Sequence, residues 1–569
     1  MLSDAMPASD QQTAFPTLTT EQIEALRPYG TPEDTERGQV LVAEGDRGFD
    51  FFVVLEGTVE ITERSGGDES RITLHEAGEF TGDVDMLTGR AALFTATARE
   101  AGRVLRLCSD RIQRVIAEEP DLSDPILRAF LMRRTLLLEG GFTGVQIVGS
   151  RFSPGTGRLK AFAARNQLPF TWLDLEEDEG AETLLEQFGI APEETPVVVC
   201  QGEEVLRNPS NAELAECMGL PGRPNGDSAS DGDVRDLIVV GAGPAGLAAA
   251  VYGASEGLST LCLEASAPGG QASASSKIEN YLGFPTGLPG AELARRARLQ
   301  AQKFGARLTV PCEVTGLRSE AGGAYHVAEL SSGDEAAARA FVAATGATYR
   351  KLPLERLADF EDTGVYYAAT QMEARLCTGE DVVVVGGGNS AGQAAMFLAE
   401  RARHVYVLVR SGDGLEKSMS RYLSRRVERQ ENVEVLLHTE AKQLEGDPGQ
   451  LEAVHVKNNE TGETERLAAR ALFVMIGAEP NAGWLPGHVA TDADGFVLSG
   501  EAAAARNDAE GFQERAGREP GFLETSVPGL FAAGDVRSGS IKRVASAVGE
   551  GAMGVKLVHQ HLAEHSGRA

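Results

Sequence analysis

The sequence has few cysteines, few positive charges and no long uninterrupted apolar run. Its 569 residues include 6 cysteines, and 53 Lys and Arg residues are outnumbered by 84 Asp and Glu residues, which gives a net charge of −31. This charge would repel a nucleic-acid backbone, so nucleic-acid binding is disfavoured. The cysteines are too sparse and too irregularly spaced for a disulfide framework or a zinc cluster. We therefore expect no metal site and a reducing, cytoplasmic environment.

No segment of the sequence predicts a membrane span or a cleaved leader. The N-terminal residues lack a basic region followed by an apolar stretch. The most apolar stretch, residues 237–254, contains Gly241, Gly243, Pro244 and Gly246, and it is better explained by a glycine-rich turn than by a spanning helix. At roughly 150 residues per domain, the length predicts several domains.

Within residues 1–140, a short helical pattern from residue 15 is followed by apolar and polar residues that alternate between glycine turns, which predicts a small antiparallel barrel followed by a helical segment. The stretch around Gly82 and Asp83 resembles the cyclic-nucleotide-binding domain, a jelly-roll barrel with a phosphate-binding glycine, glutamate and arginine. Residues 91–93 read Ala-Ala-Leu where that arginine is expected, and Arg90 is only a near neighbour. A lost charge-assisted bond costs about 1.5–3 kcal/mol, so a docking module is favoured over a cyclic-nucleotide site.

Residues 143–220 show alternating strands and helices that start as βαβ and end in a hairpin. The pattern resembles the glutaredoxin or thioredoxin fold, in which a cis proline lies beside a dithiol. Pro196 matches the cis proline, but residues 153–156 read Ser-Pro-Gly-Thr in place of C-P-x-C. Dithiol exchange is therefore excluded at this helix end. Cys200 and Cys217 are expected to be packed side chains rather than a redox pair.

Residues 221–234, rich in Pro, Gly, Ser and Asp, predict a linker that precedes the strongest motif of the chain. An apolar strand at 236–240 leads into Gly241-Ala-Gly-Pro-Ala-Gly246 and then into a helix of small residues. The glycines allow a tight turn, close approach of a pyrophosphate and close helix packing. Glu264 ends the second strand, where it can bond a ribose hydroxyl.

A second unit of the same kind begins with the apolar strand at 381–385 and continues through Gly386-Gly-Gly-Asn-Ser-Ala391. Two dinucleotide sites in one chain imply two cofactors. The simplest pairing is a nicotinamide that gives hydride to a bound flavin.

Residues 235–565 resemble bacterial thioredoxin reductase over the full length of its FAD and NADPH domains. The matching motifs, in the family's order, are Gly269-Gly270-Gln271, Ile278-Glu-Asn280, Ala344-Thr345-Gly346, Gly386 to Ala391, Ile476-Gly477, Phe531-Ala-Ala-Gly534-Asp535 and Arg543-Val-Ala545. The resemblance implies two Rossmann-like, three-layer ββα domains. The FAD-binding domain would comprise 235–348 and 479–569, and the NAD(P)H-binding domain 349–478. It also implies a homodimer.

The resemblance implies two sets of cofactor-binding residues. Those implied for FAD are Gly241, Gly243, Pro244, Ala245, Gly246, Glu264, Gly270, Gln271, Asn280, Val314, Ala344, Thr345, Gly346, Gly534, Asp535, Arg543, Val544 and Ala545. Those implied for NAD(P)H are Gly386, Gly388, Asn389, Ser390, Ala391, Arg410, Ile476 and Gly477. Asp535 would take a ribityl hydroxyl, and the helix that starts near Arg543 would direct its positive end at the flavin.

The redox dithiol of the family, C-A-T-C-D, has no counterpart in this chain. Residues 366–372 read Tyr-Tyr-Ala-Ala-Thr-Gln-Met, with Ala368 and Gln371 at the two cysteine positions. Cys377 lies six residues further on and is expected to be packed. Without a thiolate, electrons cannot reach a disulfide by the usual covalent route. No catalytic side chain is therefore assigned, and flavin N5 is the reacting centre.

The choice of nicotinamide cofactor depends on the end of the second strand of the second unit. The family's H-R-R-x-x-x-R phosphate grip is reduced to Val409-Arg410-Ser411, with Lys417 and Arg421 downstream. NAD specificity would require an acidic residue at the end of this strand, and the sequence has none there. The pattern favours NADPH, with NADH as the alternative.

Together these patterns favour a cytoplasmic, FAD-dependent NAD(P)H oxidoreductase of thioredoxin-reductase type that lacks its dithiol. Its acceptor would be a ferredoxin, a flavodoxin, a quinone, oxygen or another small molecule. One alternative is disulfide reduction through thiols of a partner protein or of distant cysteines in this chain. Another is a non-catalytic redox sensor or docking flavoprotein, which the second dinucleotide site argues against.

Overall fold

The computed structural model describes the chain from residue 8 to residue 566 with internal gaps. The residues outside the description are 1–7, 66–67, 140–144, 152, 179–180, 182–184, 186–188, 192–193, 201–203, 221–233, 276–277, 279–280, 321–323, 362, 368, 370, 448, 507–511, 513–515 and 567–569. Asn280, Ala368 and almost all of the predicted linker at 221–234 fall among them. Within the described ranges, no helix is long and apolar enough to cross a membrane.

The chain divides into two compact units. The first unit comprises Met1–Gly346 together with Ala482–Ala569, and the second comprises Ala347–Asn481. The first unit contains three regions: a barrel (residues 8–139), a middle segment (residues 145–220) and a large-sheet region (residues 234–346 and 482–566).

The barrel is built from two antiparallel sheets, with strand orders β1-β7-β3 and β2-β6-β4-β5. Its strands are β1 (Thr31–Thr35), β2 (Val40–Val42), β3 (Phe51–Glu56), β4 (Val59–Ser65), β5 (Asp68–His75), β6 (Thr95–Ala98) and β7 (Gly102–Leu107). Its helices are α1 (Ala8–Ala14), α2 (Thr20–Leu26), α3 (Asp85–Thr88), α4 (Ser109–Glu118) and α5 (Pro120–Glu139). The predicted antiparallel barrel is confirmed.

Three fully buried phenylalanines join the sheets of the barrel to its last helix. Phe51 lies 5.3 Å from Phe80 between ring centroids, and both rings lie 6.4 Å from Phe130 on α5. Burial of each ring stabilises the folded state by roughly 1.5–3 kcal/mol, because apolar surface is removed from water. Helix α5 is thus a part of the barrel core and not an appendage.

The middle segment, residues 145–220, has a four-stranded sheet in the order β11-β10-β8-β9. Its elements are β8 (Val145–Val148), α6 (Pro154–Arg165), β9 (Thr171–Leu173), β10 (Val197–Cys200), β11 (Glu204–Arg207) and α7 (Asn211–Cys217). Strand β8 pairs in parallel with β9 and antiparallel with β10. The peptide bond before Pro196 is cis. Ser153 is the N-cap of α6 and accepts a hydrogen bond from the Thr156 amide.

One expectation for the middle segment is wrong. Cys200 and Cys217 are not separate packed thiols but form a disulfide, with a Cα–Cα distance of 6.2 Å. The bond links the end of β10 to the end of α7, two elements that are adjacent in the fold although the cysteines are 17 positions apart in the sequence. Sequence spacing alone does not reveal such a pair.

The large-sheet region has a seven-stranded sheet with the path β14-β13-β12-β17-β16-β15, and the C-terminal strand Leu530–Ala532 pairs with β17. Its further strands are β12 (Arg235–Val240), β13 (Thr260–Leu263), β14 (Arg307–Thr309), β15 (Val314–Glu320), β16 (Tyr325–Leu330) and β17 (Glu335–Ala343). Its helices are α8 (Pro244–Ser255), α9 (Gly290–Lys303), Glu501–Ala504 and the C-terminal helix Val544–Ser566. Strand β12 pairs in parallel with both β13 and β17.

The second unit repeats this plan with a five-stranded parallel sheet in the order β19-β26-β20-β21-β22 and a meander of β23, β24 and β25. Its strands are β18 (Ala347–Tyr349), β19 (Val365–Tyr366), β20 (Asp381–Val385), β21 (His404–Val409), β22 (Val433–Leu437), β23 (Thr439–Asp447), β24 (Gln450–Asn458), β25 (Thr464–Ala468), β26 (Ala471–Val474) and β27 (Ala478–Pro480). Its helices are α10 (Gln371–Leu376), α11 (Asn389–Ala399) and α12 (Arg421–Arg429).

Within the first unit, the barrel contacts both of the other regions. Leu299 on α9 of the large-sheet region packs against the barrel core. The Ala91 amide of the barrel donates to the Gly219 carbonyl at the end of the middle segment, at 3.4 Å. Two buried barrel arginines also reach the end of α6, as described below. The barrel is therefore in direct contact with helix α9 of the region that carries the first glycine-rich turn.

Candidate functional site

The first glycine-rich turn joins β12 to α8 and packs tightly on its own sheet. Gly241 has a φ of +99°, and a Cβ there would lie 2.5 Å from the Ala344 carbonyl oxygen. A Cβ at Gly246 would overlap the carbonyl oxygen of Gly241. Both positions require glycine, because a side chain would push the helix away from the turn.

The same turn is open at Gly243, the N-cap of α8. A Cβ at Gly243 would have no heavy atom of the described residues within 4 Å. Pro244 occupies the first helical position, where its missing amide costs nothing. The remaining first-turn amides have no carbonyl partner within the helix, and the helix dipole favours an anion there. The turn therefore fits the pyrophosphate of a dinucleotide.

The Glu264 carboxylate is fixed by backbone amides at the end of β13. One oxygen accepts from the Ala242 amide of the turn at 2.7 Å. The other accepts from the amides of Ser266 and Ala267, at 2.9 and 3.2 Å. The oxygen that accepts from Ala242 has a second lone pair and can accept one further bond. Glu264 is thus tied directly to the turn while it keeps capacity for a ribose hydroxyl.

Residues from distant parts of the sequence come together around this turn. A Cβ at Gly270 would lie 3.1 Å from the Gly243 Cα, and one at Gly534 would lie 2.9 Å from the Ala245 Cβ. The amide of Ala533 donates to the Ala343 carbonyl at 3.0 Å, which places Gly534 beside the end of β17. Of the other residues implied for FAD, Gln271 is exposed in a short 3-10 helix, Val314 begins β15 and Val544 begins the C-terminal helix.

Asp535 lies at the edge of this cluster, in the 3-10 turn Gly534–Val536. Burial raises the pKa of Asp535, while the nearby Lys542 ammonium opposes the rise. Lys542 is the counter-charge that sequence reasoning missed. Such a carboxylate is suited to accept hydrogen bonds from hydroxyl groups.

Glu550 is a second residue that sequence reasoning missed. Its carboxylate accepts from the Gly534 amide at 2.7 Å and pairs with Arg537, whose Nη2 lies 2.5 Å away. Glu550 lies on the C-terminal helix, so it ties the Gly534 turn to that helix. No motif marks it, because its role arises from packing between segments that are not consecutive.

The second glycine-rich turn joins β20 to α11 in the second unit. Gly386 has a φ of +145°, and a Cβ there would overlap the Met475 carbonyl oxygen. Gly388 is the N-cap of α11, so the first-turn amides of this helix also have no carbonyl partner within the helix. Ile476 and Gly477 follow β26 after one intervening residue, Met475, and β26 pairs with β20. The turn repeats the anion-binding geometry of the first.

A loop after β21 is fastened to the second turn by two side chains. Ser418 Oγ donates to the Gly387 carbonyl at 2.8 Å. The Ser420 amide donates to Asn389 Oδ1, also at 2.8 Å. Asn389 therefore positions the loop, a role that the motif did not reveal. Arg410 follows β21 directly and is exposed, as a residue that reaches a phosphate must be.

The segment at the expected dithiol positions is held by aromatic side chains. Tyr367 stacks on Tyr349 at 5.6 Å between ring centroids, and its hydroxyl donates to Glu361 at 2.6 Å. Gln371 begins α10. Cys377 follows this helix, is 2% exposed, and burial raises its pKa to about 12. This thiol therefore stays protonated and unreactive at neutral pH.

The other free thiols of the large-sheet region are equally inert. Burial raises the pKa of Cys312 to about 12, and burial raises the pKa of Cys262 further still. The nearby acids Glu264 and Asp334 raise the pKa of Cys262 and Cys312, respectively, in addition to burial. These cysteines act as small apolar side chains.

The region of the barrel that resembles a cyclic-nucleotide site is occupied by the protein's own side chains. Arg133 of α5 donates to the carbonyls of Gly82 and Phe80 at 2.6 and 3.0 Å. Ala92 is buried, and Phe94 lines a cavity of about 50 Å³. This volume is far below the roughly 300–1,000 Å³ of ligand pockets. A cyclic nucleotide would have to displace Phe94 or Arg133.

Asp83 lines the same cavity and is 2% exposed. Burial, with a smaller contribution from Asp85, raises its pKa to about 7, while Arg134 and Arg133 oppose the rise. One of its oxygens accepts from the Asp85 amide at 2.9 Å, and the other has no partner among the described residues. The folded barrel therefore holds the Asp83 proton more tightly than the unfolded chain does.

Asp83→Asn is expected to reduce the pH dependence of barrel stability. The bound proton on Asp83 stabilises the folded state. This stabilisation is complete below about pH 4, where the unfolded chain is also protonated, and it is lost as the pH rises through the folded-state pKa of about 7. Between pH 5 and pH 8 the free energy of unfolding of the wild type should fall by roughly 2 kcal/mol more than that of the variant. Urea unfolding at both pH values measures the difference. Asp34→Asn, at an exposed aspartate, is the control and should keep the wild-type pH dependence. If the free energy of unfolding changed with pH equally in the wild type and in Asp83→Asn, the expectation would be contradicted.

Two families match the chain. Residues 235–551 match the family described as Pyridine nucleotide-disulphide oxidoreductase, and residues 32–119 match the family described as Cyclic nucleotide-binding domain. The first match covers both glycine-rich turns. The second covers the barrel strands and the Gly82 region.

Thioredoxin reductases are among the relatives found by sequence and by structure. The NADPH-dependent thioredoxin reductase 3 of Arabidopsis thaliana is 31% identical over 376 residues, which are 64% of this chain and 66% of that protein. Thioredoxin reductase of Bacillus subtilis is 30% identical over 59% of this chain and 97% of its own length. The solved thioredoxin reductase of Streptococcus pyogenes superposes with a TM-score of 0.50 at 28% identity, over 58% of this chain and 98% of its own. That of Giardia duodenalis gives a TM-score of 0.51 at 25% identity, over 58% of this chain and 100% of its own.

These matches agree with the two glycine-rich turns and with the parallel sheets that carry them. Thioredoxin reductases of this kind use FAD and NADPH, and the chain is an oxidoreductase with a cyclic-nucleotide-binding-type barrel. Because the family match spans residues 235–551, more than half of its length, the chain belongs to the pyridine nucleotide-disulphide oxidoreductase family.

Proposed function

We propose that the chain oxidises NADPH and delivers the electrons through FAD to an acceptor other than a dithiol of its own second unit. In the balanced reaction, NADPH and a proton reduce one two-electron acceptor, such as a quinone, or NADPH reduces two one-electron acceptors, such as ferredoxins, and releases a proton; NADP⁺ forms in both cases. The observation that carries the proposal is the absence of any Cys-x-x-Cys pair from a sequence that keeps both dinucleotide turns. The buried, protonated thiol of Cys377 supports it.

The large-sheet region is proposed to hold FAD. When bound, FAD supplies a ring that accepts hydride from a nicotinamide. The open helix start at Gly243 would receive the pyrophosphate, and Glu264 would accept a hydrogen bond from the ribose. Asp535 would accept from a ribityl hydroxyl, and the start of the C-terminal helix near Val544 would stabilise negative charge on the reduced ring.

The second unit is proposed to hold NADPH. Gly388 and the first turn of α11 would receive its pyrophosphate. Arg410, exposed at the end of β21, would pair with the 2′-phosphate that distinguishes NADPH from NADH. No acidic side chain occupies the end of β21 to repel that phosphate.

Arg410→Ala is expected to raise the NADPH concentration for half-maximal flavin reduction roughly tenfold, and to leave the value for NADH unchanged. The measurement is anaerobic stopped-flow reduction of the FAD-loaded full-length protein, followed by its flavin absorbance. Arg429→Ala, at an exposed arginine on α12, is the matched control and should change neither value.

The same experiment tests the proposed function itself. Rapid bleaching of the wild-type flavin by NADPH, followed by reoxidation on adding ferredoxin, flavodoxin, quinone or oxygen, is the expected result. Failure of both NADPH and NADH to bleach the flavin would contradict the proposal and favour a non-catalytic flavoprotein.

Disulfide reduction is a second candidate, because the chain carries a disulfide between Cys200 and Cys217. Cys200 is only 3% exposed, so a partner thiol has little access to it. Reduction of thioredoxin or of a small disulfide by NADPH, abolished by Cys200→Ser with Cys217→Ser, would favour this candidate over the proposal.

The middle segment is proposed to be a glutaredoxin- or thioredoxin-like domain that has lost its dithiol. The parallel pairing of β8 with β9, the antiparallel β10 and the cis bond before Pro196 support the assignment. Ser153 and Thr156 occupy the ends of the four-residue dithiol motif. Without thiols there, this domain and the barrel would serve as docking or regulatory modules.

A further inference from the structure

Asn166 is a buried residue of the middle segment whose side chain reaches the large-sheet region. It is the C-cap of α6 and is fully buried. Its side-chain amide donates to the Phe162 carbonyl in its own helix at 3.0 Å and to the Ser266 carbonyl, 100 residues further on, at 2.9 Å. Both partners are acceptors, so only the NH₂ group of an amide meets them. An aspartate of the same shape would present an oxygen to an oxygen.

The Ser266 carbonyl belongs to the loop that holds Glu264. The amides of Ser266 and Ala267 donate to one Glu264 oxygen, and the Ala242 amide of the glycine-rich turn donates to the other. Asn166 therefore bonds to the same residue, Ser266, that bonds to the proposed ribose-binding carboxylate. The path from Asn166 to that carboxylate passes through one residue.

The backbone around Asn166 is held by the barrel. Arg90 Nη2 donates to the Asn166 carbonyl at 2.9 Å, and Arg134 Nη2 donates to the Gln167 carbonyl at 2.6 Å. Both guanidinium groups are buried and face the Asp85 carboxylate. The negative end of the α6 dipole thus meets two cations of the barrel, which favours this contact.

We propose that Asn166 is a positioning residue for FAD binding: it holds the loop 264–267 so that the Glu264 carboxylate faces the ribose, and the barrel holds Asn166 in turn through Arg90 and Arg134. The inference rests on the proposed function, in which the large-sheet region binds FAD. It assigns the barrel and the middle segment an indirect part in that binding, through the position of Glu264, although neither contains a dinucleotide turn.

The test is the affinity of the deflavinated full-length protein for FAD, measured by fluorescence titration. Asn166→Ala is expected to raise the Kd for FAD about tenfold, because one hydrogen bond to the loop is lost. Asn166→Asp keeps the side-chain shape and is expected to raise the Kd further, because it presents an oxygen to both carbonyls. Asn166→Ser keeps a small polar side chain at this buried site and serves if the alanine variant fails to fold. Asn432 in the second unit is a matched control: its side-chain amide also donates to two carbonyls, of Ala399 and Ala402. Asn432→Ala should leave the Kd for FAD unchanged.

A double-mutant cycle with Glu264→Gln separates positioning from a general loss of structure. If Asn166 acts through Glu264, Asn166→Ala will add little to the effect of Glu264→Gln. Fully additive losses, or an unchanged Kd in Asn166→Ala, would overturn the inference while the FAD site stands. An unchanged Kd in Glu264→Gln would instead overturn the proposed FAD site, and the inference with it.

Discussion

Replacing Asp85 by Asn is expected to destabilise the first unit by about 3–5 kcal/mol, because it leaves buried arginines without their carboxylate. Asp85 is 1% exposed, and its two oxygens lie 3.0 Å from Arg134 and 3.8 Å from Arg90. Arg298 of α9 also faces this carboxylate: burial lowers its pKa to about 10, and Asp85 opposes that fall. One anion therefore compensates three buried guanidinium groups from two regions of the fold.

The measurement is urea unfolding followed by tryptophan fluorescence. The two tryptophans of the chain report on the regions next to the barrel, since Trp172 lies in the middle segment and Trp484 in the large-sheet region. Asp124→Asn is the matched control. Asp124 also lies 3.0 Å from an arginine, Arg128, but the two side chains are 65% and 69% exposed. Asp124→Asn should lower the free energy of unfolding by at most about 0.5 kcal/mol. If Asp85→Asn and Asp124→Asn lowered the free energy of unfolding equally, burial of the Asp85 carboxylate with its arginines would not account for the stability of the first unit.

The sequence predicts the dinucleotide turns well, because their function requires a local pattern. A strand, three spaced glycines, a helix and a terminal acid lie within thirty residues, so Gly241, Gly246 and Glu264 are identifiable without knowledge of the fold. The alternation of apolar residues likewise predicts the barrel. In each case the signal and the structure it specifies occupy the same short stretch of chain.

Contacts between regions are not predictable in this way. Arg90 has the appearance of an ordinary charged residue beside a degenerate cassette, yet it is buried against the end of α6. Asn166 ends a helix in the sequence, and only the fold brings it to Ser266. The Cys200–Cys217 disulfide and the Glu550 bond to Gly534 arise likewise from segments that meet only in three dimensions. A single sequence carries no signal for such pairings.

Gly243→Ala is expected to weaken FAD binding by at least about 100-fold while the protein remains folded, because the pyrophosphate must approach this backbone closely. The new methyl group would meet no heavy atom of the described residues within 4 Å, and Gly243 has a φ of −71°, which alanine adopts readily. The substitution therefore acts on the ligand rather than on the fold. The measurement is FAD titration of the full-length variant, with circular dichroism to confirm folding.

Two further glycines make this expectation specific to the turn. Gly246→Ala should lower stability as well as FAD affinity, since its methyl group would overlap the Gly241 carbonyl oxygen. Gly549→Ala is the control: it lies exposed in the C-terminal helix with no described heavy atom near its Cβ position, and alanine favours the helix by up to about 1 kcal/mol. If Gly243→Ala bound FAD as tightly as Gly549→Ala, the pyrophosphate would not lie on this turn. The assignment of the large-sheet region as the FAD site would then be wrong, whatever the family resemblance implies.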